Sequence, residues 1–285
     1  MKSIRQRETN KQMNPLVIFS DLDGTLLDHH DYSFDAAIET LNNLKRLHIP
    51  CILNTSKTYA ELEILQEILQ LNLPFIVENG SAVYIPKSYN LQCSSTMENN
   101  NHYYRKTFGP RRNTILELVA QVKEEFSFTG FAEMNSTQLA KASQLSLHTA
   151  ELALQREFTE PLLWQDTKKA FTAFKKIMES HGLQIQKGGR FIHLMGKKCD
   201  KAMAMNWLSE CYKEHYQNNI TTMALGDGNN DVGMISHADI GVIIRSPVNP
   251  APTIPNRTDI YVTEGYGPVG WAQAVNRTLE NNLLL

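Results

Sequence analysis

The stretch "VIFSDLDGTLLD" at 17–28 sets two carboxylates, Asp21 and Asp23, with one residue between them at the end of a short β-rich run. A buried strand gains no stability from ending in negative charge, so the pair points to chemistry at that edge. The same pattern recurs. Asn54, Thr55, Ser56 and Lys57 follow the apolar run "CILN", Glu78 and Asn79 follow "FIV", and Asp227 and Asp231 lie in "GDGNND" after "TTMAL". Taken singly these are common loop features, since Asp-Gly is a frequent turn and Asp a frequent helix cap. Taken together they fall at the carboxyl ends of strands, where open α/β sheets place their functional crevice. Three or four carboxylates gathered there repel one another and resist ionisation. A bound divalent cation removes that conflict, and Mg²⁺, a hard ion, takes such oxygen ligands.

The elements needed to position these residues are readable from periodicity. "LVIF" is followed by Phe34, Ile38, Leu41 and Leu44 at helical spacing. Next comes a helix opened by Thr58-x-x-Glu61, a capping-box signature, with an apolar stripe at Leu62, Leu65 and Leu69. This βαβαβ order predicts α/β class, a doubly wound parallel sheet with right-handed crossovers. The polar stretch 88–102 reads as a long loop or hairpin turn. Helices are expected from about 114, over 136–158 and from 167 to a stop at Gly182, with strands at "PLLW", "LQIQK" and "RFIHLM". The α/β texture returns after Asp200. The expected division is a tail at 1–14, a core of 15–85 and 191–285, and an inserted α+β cap at 86–190.

With 285 residues, 42% hydrophobic and 20% charged, the chain has the composition of a soluble globular protein with real cores. A net charge of −2 gives no reason to expect nucleic acid or an anionic membrane as partner. No apolar run approaches the roughly 20 residues of a membrane span, and the charged N-terminal stretch lacks the apolar core of a signal peptide. The four cysteines, without CxxC spacing, are expected to be free thiols of a cytoplasmic protein.

"DLDGT", "NTSK", the lysine of "CDKAMAM" and "GDGNND" together resemble the four motifs of the haloacid dehalogenase superfamily. "VENGSAVYIPKSY", "REFTEPLLW", "GGRFIHLMG" and "EGYGPVGW" extend the resemblance, cap included, to mannosyl-3-phosphoglycerate phosphatases. The resemblance implies a Mg²⁺-dependent phosphomonoesterase acting on a small phosphorylated glycoside through an aspartyl phosphate. Asp21 would be the nucleophile and Asp23 the general acid and base, kept protonated by burial and neighbouring carboxylates. Thr55 would donate to a phosphoryl oxygen, and Lys201 would neutralise charge beside Asp21. Asp227, with Asp21 and the carbonyl of Asp23, would hold the cation; Asp231 would either join them or hold Lys201.

Selectivity would belong to the cap and to the loop after the third strand. Arg190 and Arg156 are the expected readers of a glycerate carboxylate, with Lys187 and His193 nearby and Glu78 and Asn79 placed for sugar hydroxyls. A broader sugar-phosphate phosphatase, a phosphomutase and a non-catalytic phosphosugar sensor are the competing functions. Replacement of Asp21 or Asp23 would favour the sensor, and neither is replaced.

Overall fold

The structure, a computed structural model, describes residues 14–188 and 190–281. The expected N-terminal tail, apart from Asn14, lies outside the described residues. The chain runs β1 (Leu16–Ser20), α1 (Ile38–Arg46), β2 (Cys51–Asn54), α2 (Tyr59–Ile68), β3 (Phe75–Val77), β4 (Ala82–Pro86), β5 (Glu98–Asn100) and β6 (Tyr103–Thr107). It then passes through α3 (Arg112–Gln121), β7 (Phe128–Gly130), α4 (Ser136–Ser143), α5 (Leu147–Ala153), β8 (Glu160–Trp164), α6 (Lys168–Ser180), β9 (Leu183–Lys187) and β10 (Ile192–Gly196). It closes with α7 (Lys201–Tyr216), β11 (Thr221–Gly226), α8 (Val232–His237), β12 (Ile240–Arg245), β13 (Tyr261–Tyr266) and α9 (Gly267–Asn281).

A nine-stranded sheet in the order β13-β12-β11-β1-β2-β3-β4-β6-β5 forms the core. Its pairs from β13 to β3 are parallel, and β4, β6 and β5 extend it antiparallel. Both faces are covered, which is why β1 is apolar at successive positions. Leu16 and Ile18 pack with Leu41 and Leu44 of α1 and Trp271 and Val275 of α9. Val17 and Phe19 pack on the other face, with Met205 and Leu208 of α7 and Met234 of α8. Trp271 Nε1 donates to Ser20 Oγ at 3.0 Å, and that hydroxyl donates to the Asp21 carbonyl at 2.6 Å. A C-terminal helix thus fixes the turn that presents the first carboxylate.

A second, four-stranded antiparallel sheet, β7-β8-β10-β9, carries α3 and α6 on Ile115, Phe174 and Met178. Strand membership differs from expectation: β5 and β6, expected in the cap, pair into the core sheet, and β10, expected in the core, pairs in the four-stranded sheet. The polar strand β5 lies at a solvent edge and offers no periodic apolar signal. The expected helix over 136–158 is two helices. Gln144 ends α4 in left-handed conformation (φ 66°), and Ser146 caps α5 by accepting from Thr149 N. The cysteines also differ from expectation. Cys93 and Cys211, 118 residues apart, form a disulfide, while Cys51 and Cys199 are free and buried. Among the described residues no helix is long and apolar enough to cross a membrane.

The turn after β3 ties fold to site. Glu78, Asn79 and Gly80 are all left-handed, with φ of 47°, 56° and 85°. For the two non-glycines this is a strained state that persists only when neighbours over-determine it. Here Glu78 N donates to Lys57 O at 2.9 Å and Asn79 N to Thr55 O at 2.8 Å. A Cβ on Gly80 would stand 2.0 Å from the Asp200 carbonyl, directly before Lys201. Gly80→Ala is therefore expected to destabilise the protein by about 2–4 kcal/mol through backbone strain and overpacking. Urea unfolding checks it; wild-type stability would show that this contact does not seat α7.

Candidate active site

The carboxyl ends of the core strands face the cap across a crevice of about 570 Å³. Asp21, Asp23, Ser56, Asn79, Asp227 and Asn230 line its floor, and Gln186, Lys187, Gly188 and His193 its cap wall. The loop after β12 contributes Asn249 to Thr253 along the side.

Lys201, the first residue of α7, organises the floor. It is fully buried, and its Nζ lies 2.6 Å from Asp21 Oδ1 and 2.7 Å from Asp231 Oδ1. Asp200 caps α7 by accepting from Met203 N, and buried Asn54 donates to the Lys201 carbonyl at 3.0 Å. Asp231 holds Lys201 with Oδ1, and its Oδ2 accepts from Gly228 N at 3.0 Å. Asp21, Asp227 and Asp231 nevertheless bring carboxylate oxygens within 4.8 Å of one another.

The charges do not balance. Burial, helped by Asp231 and Asp227 and opposed by Lys201, pushes Asp21 up to about 8. Burial and then Asp231 push Asp227 up to about 6. Lys201 is raised as well, because the attraction of Asp21 and Asp231 outweighs burial, which acts the other way. Three carboxylates around one ammonium leave an excess of negative charge that a divalent cation fits, with Asp21 and Asp227 as the oxygen donors not fully committed to protein partners.

Asp23 sits apart from this cluster. Its side chain is 40% exposed, and Oδ1 lies 2.9 Å from Lys57 Nζ. Asp23 thus has a cation beside it as well as the like charge of Asp227, which its own charge helps to raise. Lys57 is buried, also approaches Glu61 at 3.7 Å, and is raised because Asp23 and Glu61 outweigh its burial. Sequence reasoning assigned Lys57 no role, although its position directly after "NTS" at a strand end was the available signal. Thr55 is buried at the end of β2, where its hydroxyl accepts from Lys57 N at 3.2 Å.

The substrate candidates divide. Asn79 and His193 line the crevice, whereas Lys187 borders it only through β9 and lays its ammonium over the Phe171 ring, 5.9 Å from the centroid, in a second cap groove. Glu78 is not among the residues lining the crevice: its carboxylate accepts from the backbone N–H of Glu157, Phe158 and Thr159 and from the Thr159 hydroxyl at 2.6–3.2 Å, fastening the cap to the core. Arg156 is likewise committed, donating to the Ser56 carbonyl at 3.2 Å and to Thr159 Oγ1 at 3.0 Å. Arg190 donates to the Ala142 carbonyl at 3.0 Å and to Gln144, and lines a separate cap groove with Trp164 and Phe171. Its stem turns toward α4, so it is not among the residues lining the crevice. Gln186 and the loop at Asn249–Thr253 went unread; "SPVNPAPTIPN" marks a loop but not the wall it forms.

Residues 18–250 match the haloacid dehalogenase-like hydrolase family, and the chain belongs to it. The match takes in the cap as well as the core. A Persephonella marina protein named glucosyl-3-phosphoglycerate/mannosyl-3-phosphoglycerate phosphatase is 38% identical over 267 residues, spanning 93% of this chain and 97% of that protein. One of the same name from Methanococcoides burtonii is 36% identical over 269 residues, spanning 93% and 98%. Among solved structures, Thermoplasma acidophilum 0175 superposes with TM-score 0.64 at 21% identity over 96% of this chain and all of that one. A sugar phosphatase of subclass IIB of the superfamily superposes with TM-score 0.62 at 17% identity, over 94% of this chain and 99% of that one. These two show a shared fold, cap included.

Two outcomes are expected. Lys57→Met should lower kcat by about ten- to a hundredfold by releasing Asp23, with a smaller change in KM; unchanged kcat in steady-state assays would remove Lys57 from the machinery. In chelator-treated protein, Asp21 and Asp227 hold protons that the unfolded chain, with an ordinary value of 3.8, has already released. Folded-state stability should therefore fall as pH rises from about 4 to 8, and a divalent cation should reverse the loss. Thermal melts across that range, with and without cation, test it; a Tm insensitive to both contradicts the charge imbalance.

Proposed function

We propose that this protein hydrolyses the phosphomonoester of a glycosyl-3-phosphoglycerate, glucosyl or mannosyl, in a Mg²⁺-dependent reaction. The observation that carries this reading is the whole-chain likeness to the two named phosphatases, because it spans the cap, which covers the crevice.

The chemistry follows from the floor. Lys201 occupies Oδ1 of Asp21, leaving Oδ2 to attack phosphorus. As the new P–O bond forms, the bond to the glycerate C3 oxygen breaks, and Asp23 gives that oxygen its proton. Asp23 then takes a proton from the water that attacks the aspartyl phosphate, releasing phosphate and restoring Asp21. Asp21 and Asp227, with the Asp23 carbonyl, would hold Mg²⁺, which would supply positive charge to the phosphoryl oxygens. The Lys201 ammonium offsets the charge that two anions bring together, and Lys57 keeps Asp23 aimed.

Phosphate release is the test, using glucosyl- and mannosyl-3-phosphoglycerate against simple hexose phosphates, with Mg²⁺ and after chelation. The glycosyl substrates should lead in kcat/KM by at least about tenfold, activity should vanish on chelation, and Asp21→Asn should be folded and inactive. A preference for hexose phosphates would replace this substrate with a broader one. Full activity after exhaustive chelation, or in Asp21→Asn, would remove the mechanism.

A further inference from the structure

Gln186 and His193 stand directly opposite each other on the antiparallel strands β9 and β10, so their side chains share one face of the cap sheet. That face is the crevice wall across from Asp21 and Asp23. Each residue keeps a buried polar atom without a protein partner, Oε1 of Gln186 and Nδ1 of His193. Buried polar atoms in folded proteins are nearly always paired, so two orphans on one wall of one cavity point to a ligand that pairs them.

We infer that Gln186 and His193 form a neutral subsite that reads hydroxyl groups of the sugar ring; the inference rests on the glycosyl-3-phosphoglycerate reading above. A hydroxyl both donates and accepts, and so do a primary amide and a neutral imidazole. Burial, with the nearby Arg156 charge, pushes His193 down to about 3, so it is uncharged at neutral pH and unsuited to hold phosphate or carboxylate as a cation. Gly188 contributes to the same subsite. A Cβ at that position would lie 2.7 Å from His193 Nε2, so the glycine keeps that nitrogen open. The crevice is thereby graded, with charged groups at the strand ends and neutral donors and acceptors on the cap wall. Glu78, committed to 157–159, takes no part.

The test compares wild type with Gln186→Leu, His193→Gln and Gly188→Ala on two substrates. One is the preferred glycosyl-3-phosphoglycerate, and the other is p-nitrophenyl phosphate, which has no hydroxyls. Gln186→Leu and Gly188→Ala should each lose about ten- to a hundredfold more kcat/KM on the glycosyl substrate than on p-nitrophenyl phosphate, mostly through KM. His193→Gln, which keeps a neutral donor and acceptor, should lose less than Gly188→Ala. Equal losses on both substrates, or none on the glycosyl one, overturn the subsite. Wild-type rates are read separately: failure to hydrolyse glycosyl-3-phosphoglycerates overturns the substrate reading. The same variants, run on the hexose phosphate that wild type then prefers, still decide whether Gln186 and His193 read hydroxyls.

Discussion

The ammonium of Lys201, buried between Asp21 and Asp231, is the charge on which the catalytic floor depends. Removing one partner of a buried ion pair typically costs about 3–5 kcal/mol, because the remaining charge is left without compensation. Much of the surrounding structure fixes this one group. Asn54 holds the first carbonyl of α7, Asp200 caps that helix, and Gly80 lets the turn after β3 press against it. Asp231 is spent on the lysine, and the lysine holds the first oxygen of Asp21. Even so, one ammonium cannot neutralise three carboxylates, and the floor stays short of positive charge.

A second lysine answers a different carboxylate. Lys57 meets Asp23 at the half-open side of the crevice, away from the Lys201 cluster. The two aspartates of "DLDGT" are only two residues apart, yet the strand end and the turn that follows separate their surroundings. Asp21 lies in a buried, over-acidic cluster, and Asp23, half-buried, turns one oxygen to buried Lys57.

The junction between core and cap is built on the same strand edge. Glu78, held left-handed and buried, gathers three backbone N–H groups and a hydroxyl from residues 157–159. Glu157, in turn, accepts from Tyr84 of the core sheet and pairs with Arg105 and Arg111. Nearby, Thr58 at the start of α2 donates to the Leu152 carbonyl of α5. Residues that select a substrate must be held in register with those that transform it, and this polar fastening does so beside the catalytic loops. It also explains why two side chains expected to bind substrate, Glu78 and Arg156, are unavailable for it.

The strand ends were legible in the sequence because the physics acting there is local. A parallel strand covered on both faces must be apolar throughout, so "LVIF", "CILN" and "TTMAL" show plainly, and whatever polar residues follow them fall on one edge. Asp21, Asp23, Thr55, Asp227 and Asp231 could be picked out by that rule and Lys201 by its resemblance to a superfamily motif, and the cap could be seen as an insertion. Partnerships between distant segments could not. The commitment of Glu78 to a loop 79 to 81 residues away, the turn of Arg190 toward α4, the disulfide between Cys93 and Cys211 and the addition of polar β5 and β6 to the core sheet leave no local signature. Periodicity records which side of an element is buried, not against what. The sequence determined where this protein carries its charge; only the packing of cap on core decided which of those charges remain free to meet a substrate.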